Sequence, residues 1–269
     1  MSTAWSYRSP SQLLDELGIT EPEDIRIEAI AQYCHATVCY KPLEGCEARL
    51  TGYGDRAIIA VKQSASPARQ RFSACHELGH WMRDHAKVAF TAFSCSDAAF
   101  LKEWGADNPE RRANRYATEL LLPEAMFRPR AKNRDITFAS VRDLAKQFQT
   151  SLTSTAIRLV ELGSFPSALV CSQRGGRRWY VIDPDVPQVL RLRDEPGPDT
   201  VAYDLLHSKD TVGGPVDVYA DGWIDHEDAG RYSLCEDSIK VNLSKGSYYV
   251  LSLLWWKDER QLLDVEGVE

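Results

Sequence analysis

Apolar residues recur at helical spacing early in the chain. Ile25, Ile27, Ala29, Ile30 and Tyr33 mark one side of a predicted helix over residues 24–33, after a shorter one at 12–17. Strand-like stretches are predicted at 37–40, 48–51 and 57–61, with turn signals at Gly52 and Gly54-Asp55 between them. From Pro67 to about Ser164 the pattern is mainly helical, and Val141, Leu144, Ala145, Phe148, Ala156, Ile157 and Leu159 predict two or three short helices of helix-turn-helix character over 138–163. Beyond Phe165 the texture changes. Strand-like runs at 168–171, 178–182, 216–219 and 248–254 alternate with loops rich in Gly, Pro and Asp, such as 194–199 and 213–215. A boundary is therefore expected at 163–166, separating a domain over 1–163 from one over 164–269.

Composition narrows the classes. The chain has 269 residues, 43% hydrophobic and 26% charged, enough apolar surface to exclude a disordered chain. The longest apolar run, 247–256, covers about half of what a spanning helix needs, so no membrane segment is expected. The N-terminus carries no apolar stretch of signal-peptide type, and a cytoplasmic protein is expected. Seven cysteines form no C-x-x-C, which argues against a disulfide scaffold or a cysteine-rich zinc knuckle. The net charge of −7 argues against non-specific duplex binding driven by phosphate neutralisation. A local basic face stays open, because residues 128–149 carry a net +4 through Arg128, Arg130, Lys132, Arg134, Arg142 and Lys146 against Asp135 and Asp143.

The informative chemistry begins at Ser66-Pro67, an N-cap and first-turn pair, and continues into Cys75-His76-Glu77-Leu78-Gly79-His80. On a helix His76 and His80 project from one face and can meet one cation, while Glu77 is turned aside, able to reach a water on that cation but not to share the position. Two imidazoles, one further protein ligand and a water suit tetrahedral zinc with an open site. Gly79 costs about 1 kcal/mol in a helix against Ala, easier to understand where something must approach closely. The third ligand is expected from a second helix opened by Asn108-Pro109. Glu110 lies with Ala113, Ala117 and Leu121 on a narrow small-residue stripe, and Glu119 falls about 180° away, so Glu110 is preferred. Asn114, one turn on, is placed to orient a ligand from behind.

Residues 69–80 (RQRFSACHELGH) and 110–123 (ERRANRYATELLLP) resemble the ImmA/IrrE family of zinc metallopeptidases, over about residues 10–163. Arg112 stands where the family usually has a second acid, and Tyr116 where it has Phe. The resemblance implies an α+β fold: a zincin-like metallopeptidase domain with a small sheet and a helix-turn-helix-like extension over 136–163, then a mixed α/β domain that some relatives have as a GAF-like sensor. It implies a zinc ion held by His76, His80 and Glu110, with Glu77 as general base in peptide hydrolysis. The implied substrate is a helix-turn-helix transcriptional repressor, cleaved in stress, mobile-element or anti-phage control.

Other readings stay beside this one. Cys95, in a loop-like stretch between the paired histidines and Glu110, is a candidate thiol latch on the metal or else a small half-buried residue. His35, His85 and Tyr116 are candidate oxyanion donors. Trp179, Tyr180, Trp223, Trp255 and Trp256 could line a site for a signal ligand or single-stranded nucleic acid in the second domain, or form strand core. The rival function is a non-proteolytic DNA- or partner-binding regulator with a structural zinc, and a hydrolase of a non-peptide amide is also compatible with the residues.

Overall fold

The computed structural model describes residues 6–88, 92–95, 108–207, 214–243, 246–258 and 260–262. It is a mixed α+β structure that divides into two compact units: Met1–Phe127 with Ala145–Ser151, and Arg128–Leu144 with Leu152–Glu269. Among the described residues no helix is long and apolar enough to cross a membrane.

The first unit opens with α1 (Pro10–Glu16), whose Ser9 and Gln12 form a reciprocal capping box. Helix α2 (Ile27–Tyr33) starts later than the periodicity predicts, because Pro22–Asp24 forms a separate 3-10 turn and Arg26 is extended. Only Ile27, Ile30 and Ala31 of α2 are buried. Tyr33 instead faces outward, its hydroxyl donating to Glu16 at 3.0 Å and its ring beneath the Arg8 guanidinium. Strands β1 (Ala36–Lys41), β2 (Ala48–Tyr53), β3 (Arg56–Lys62) and β4 (Ala92–Cys95) make a sheet ordered β1-β3-β2-β4. β1 runs parallel to β3 and the other pairs are antiparallel. Strand β4 falls within the stretch expected to be mainly helical, and Cys95, expected in a loop, ends that strand opposite Ala48.

Alternation sets the buried face of this sheet. Ala48 and Leu50 of β2, with Ala57, Ile59 and Val61 of β3, point inward while their neighbours point out. Helix α3 (Pro67–Arg83) packs against this sheet. Ser66 accepts from the Arg69 amide, Pro67 fills the first turn, and every residue from Ser73 to Met82 is buried. The far end is pinned where Trp81 Nε1 donates to the Cys34 carbonyl at 2.8 Å. A short α4 (His85–Val88) follows. Helix α5 (Pro109–Leu121), capped by Asn108 at 2.8 Å, lies against α3. Their contact is unusually close at Gly79: a Cβ there would stand 3.0 Å from Tyr116 Cβ and 3.1 Å from Ala113 Cα. After α6 (Glu124–Ala131) come α7 (Phe138–Phe148) and α8 (Leu152–Leu162), joined by a tight turn in which Gln149 takes a φ of 55°.

The second unit is built on a five-stranded sheet ordered β6-β5-β11-β10-β8, antiparallel throughout. These strands are β5 (Ser167–Gln173), β6 (Gly176–Ile182), β8 (Val216–Tyr219), β10 (Ser233–Asn242) and β11 (Tyr248–Trp255), with a small β7 (Arg191–Leu192) and β9 (Ile224–Asp225) pair beside them. Helix α8 packs on β5 and β6. On the side of Ala168, Val170, Val250 and Leu254, a core closes around α9 (Val201–His207), Trp223 and Trp256. Strand β10 was not predicted, because three polar residues sit at its centre. Glu236, fully buried, accepts from the Val201 and Ala202 amides at the start of α9, from Trp223 Nε1 and from Ser238 Oγ. Asp237, its neighbour on the strand, accepts from the Phe138 amide at the start of α7. Successive strand residues point to opposite faces, so adjacent carboxylates cap two different helices.

Candidate metal centre

Helices α3 and α5 supply the site between them. The His76 and His80 Nε2 atoms lie 3.2 Å apart, and the Glu110 carboxylate approaches the first at 3.2 Å and the second at 3.4 Å. This is the one group of three or more His, Cys, Asp or Glu side chains among the described residues whose ligand atoms converge. Both imidazoles are buried and the carboxylate is partly open, about 25% exposed.

The outer nitrogens decide what the inner ones offer. His76 Nδ1 stands 2.8 Å from Asn114 Oδ1, and His80 Nδ1 is 3.3 Å from Asp84 Oδ2. Both of those oxygens accept, so the Nδ1 atoms carry the protons and, in the neutral rings, both Nε2 atoms present lone pairs. In that tautomer two Nε2 lone pairs and a carboxylate face one point, where a proton shared among them or a cation satisfies all three. The spacing also fits. Ligands about 2.0–2.1 Å from a tetrahedral zinc stand about 3.3–3.4 Å from one another. His76, His80 and Glu110 can therefore hold a metal of this kind.

Electrostatics agree with the geometry. The hydrogen bonds of His76 and His80 hold the Glu110 carboxyl well below the usual range. Burial lowers His76, outweighing the support of Glu110. Burial also opposes the charged form of His80, but the hydrogen bond and charge of Glu110, followed by the charge of Glu77 and the Asp84 bond, raise it overall. Glu77 is itself fully buried on α3, close enough for its charge to act on His80.

The other singled-out residues separate clearly. Glu119 is not part of the cluster; it pairs with Arg115 at 2.8 Å along the outer side of α5. The side chain of Cys95 lies outside the described residues. Cys75 is fully buried, its thiol pushed up to about 12 by desolvation. Tyr116 donates to the Arg8 carbonyl, and His85 packs edge-on against Trp81, its pKa lowered by burial. In the second unit His207 stacks on Tyr203, and His226 accepts from the Asp228 amide. Trp223, Trp255 and Trp256 are core.

Residues 31–160 match the family model of the IrrE N-terminal-like domain, Peptidase M78. This stretch is similar to an IrrE N-terminal-like domain. It contains His76, Glu77, His80, Glu110 and Asn114 and ends within α8. No curated protein sequence matches the chain significantly. Among solved structures, a Mycobacterium tuberculosis transcriptional regulator is similar with a TM-score of 0.60 and 13% identity, covering 97% of this chain and 78% of that one. At that identity the likeness is one of fold. Within the IrrE-like domain, sequence reasoning passed over Asp84. Its position four residues after His80, on the same helix face, was the available signal.

Proposed function

We propose that the chain is a zinc-dependent endopeptidase whose substrate is a helix-turn-helix transcriptional repressor, with the second unit as a regulatory domain. The observation that carries the reading is the convergence of His76, His80 and Glu110 with Glu77 buried on the same helix turn as the two imidazoles. When bound, zinc supplies Lewis acidity toward the scissile carbonyl and acidifies water toward neutrality. Glu77 takes the proton of the attacking water and delivers it to the leaving amine, so a single carboxylate serves as base and then as acid. Asn114 holds His76 in the tautomer that presents the Nε2 lone pair to the site, and the partial exposure of Glu110 leaves an approach for a peptide.

The family whose model residues 31–160 match supports peptide hydrolysis. The choice of a repressor as substrate and a role in stress, mobile-element or anti-phage control follow from the resemblance, and with a cytoplasmic setting they remain part of the proposal. So does a GAF-like role for the second unit in sensing a signal ligand or single-stranded nucleic acid. A second reading, a non-proteolytic DNA- or partner-binding regulator with a structural zinc, is favoured by the similarity to a transcriptional regulator. One variant separates them. Glu77→Gln is expected to keep one zinc per chain, by metal analysis, and to lose about 10²–10⁴-fold in cleavage of a helix-turn-helix repressor, sought first among the products of adjacent genes and followed by gel and mass spectrometry. Undiminished cleavage by Glu77→Gln, or none by the wild type, removes the peptidase reading.

A further inference from the structure

Each imidazole of the site is held from behind, but by different means. His76 is tied directly to α5 through Asn114. His80 is tied to Asp84, the residue that ends α3, and Asp84 in turn meets Arg112 of α5, its Oδ1 at 3.7 Å from Arg112 Nη2. Asp84 is mostly buried, at 11% side-chain exposure, and Arg112 is partly so, at 31%. One carboxylate oxygen therefore faces the histidine and the other the guanidinium. Arg112 stands where the family that the chain resembles usually has an acid, so here a guanidinium faces Asp84 and can keep it turned toward His80.

We infer that Asp84 and Arg112 are positioning residues for the metal: Asp84 fixes the ring of His80 and the tautomer that presents Nε2, and Arg112 fixes Asp84 from the helix that carries Glu110. The inference rests on the metallopeptidase reading above. Its consequence is that α5 governs all three ligands, contributing Glu110 itself, Asn114 behind His76, and Arg112 at one remove behind His80. At 3.7 Å the contact of Arg112 with Asp84 is long and its loss has small effects on stability, so thermal denaturation alone does not reveal this role. Outer partners of ligating histidines act on metal affinity, about 10–100-fold when removed.

The test is zinc affinity, by competition with a chromophoric chelator on the full chain, for Asp84→Ala, Asp84→Asn, Arg112→Gln and the double variant Asp84→Ala/Arg112→Gln. Asp84→Ala is expected to weaken zinc about 10–100-fold, and Asp84→Asn, which retains a neutral acceptor and guards against misfolding, by less. Arg112→Gln is expected to weaken zinc several-fold in the wild-type background and not at all when Asp84 is already Ala, because its effect passes through that carboxylate. Wild-type affinity in Asp84→Ala, with zinc still lost in His80→Ala, overturns this inference and leaves the peptidase reading intact. An equal loss from Arg112→Gln in both backgrounds removes Arg112 from it. A wild-type chain that binds no zinc overturns both.

Discussion

Glu110 and Glu119 sit on one helix and differ only in direction, yet the first meets two imidazoles and the second a surface arginine. Glu110→Ala is therefore expected to abolish tight zinc binding, whereas Glu119→Ala leaves it within about twofold, since exposed i,i+4 pairs contribute only about 0.3–0.5 kcal/mol. Isothermal titration of zinc into the two variants checks this. Asp237 offers a different test. Burial raises its pKa, against the Phe138 amide bond that lowers it, so the folded chain holds that proton more tightly than the unfolded one. For a carboxyl with a raised folded pKa, stability falls as pH climbs from the unfolded value of about 4 through the folded value. Asp237→Asn keeps an acceptor for the Phe138 amide and removes the charge. Urea denaturation between pH 4 and 7 is expected to show a loss of stability in the wild type that the Asn variant lacks. A parallel pH dependence in the two proteins contradicts the assignment.

At the scale of elements, the α3–α5 pair is set by Gly79 and Ala113, residues small enough to let two helix backbones approach. Gly79→Val forces α5 outward and is expected to cost about 1–3 kcal/mol in urea denaturation, because overpacking a close-packed contact strains both sides. Gly79→Ala gains about 1 kcal/mol in helix propensity and meets backbone at 3.1–3.2 Å, so its stability stays near wild type. Its zinc affinity nevertheless falls, because Glu110 and Asn114 ride on the helix that moves. Zinc affinity unchanged in both variants rules out this coupling. The capping signals that placed these helices, Ser66-Pro67 and Asn108-Pro109, were legible because a side-chain oxygen reaching the third amide is a local event. Strand β10 was not legible. Glu236, Asp237 and Ser238 break its alternation, and their burial makes sense only once the starts of α7 and α9, far off in sequence, bring amides to the two carboxylates.

For the whole molecule, a metal that binds only the folded state raises its stability by mass action, about 2.7 kcal/mol at a free concentration a hundredfold above Kd. Zinc is expected to raise the midpoint of one thermal transition by several degrees, and EDTA to reverse it. In His76→Ala the midpoint does not respond. A wild-type midpoint indifferent to both zinc and EDTA argues against the site. The chain has two compact units, and the division between them crosses α6 and α7.

By itself the sequence determined what depends on neighbours along the chain: the helix that sets His76 and His80 on one face, its cap, the rotation that separates Glu110 from Glu119, and the strands with clean alternation. Tertiary structure alone decided which distant groups meet. The parallel pairing of β1 with β3, the late edge strand β4, the Asp84–Arg112 contact and the burial of Glu236 each join groups whose spacing along the chain carries no periodic signal. The reason is physical: helix and strand repeats are imposed by backbone geometry within a few residues, whereas buried charges and pair contacts are stable only when folding has already supplied their partners.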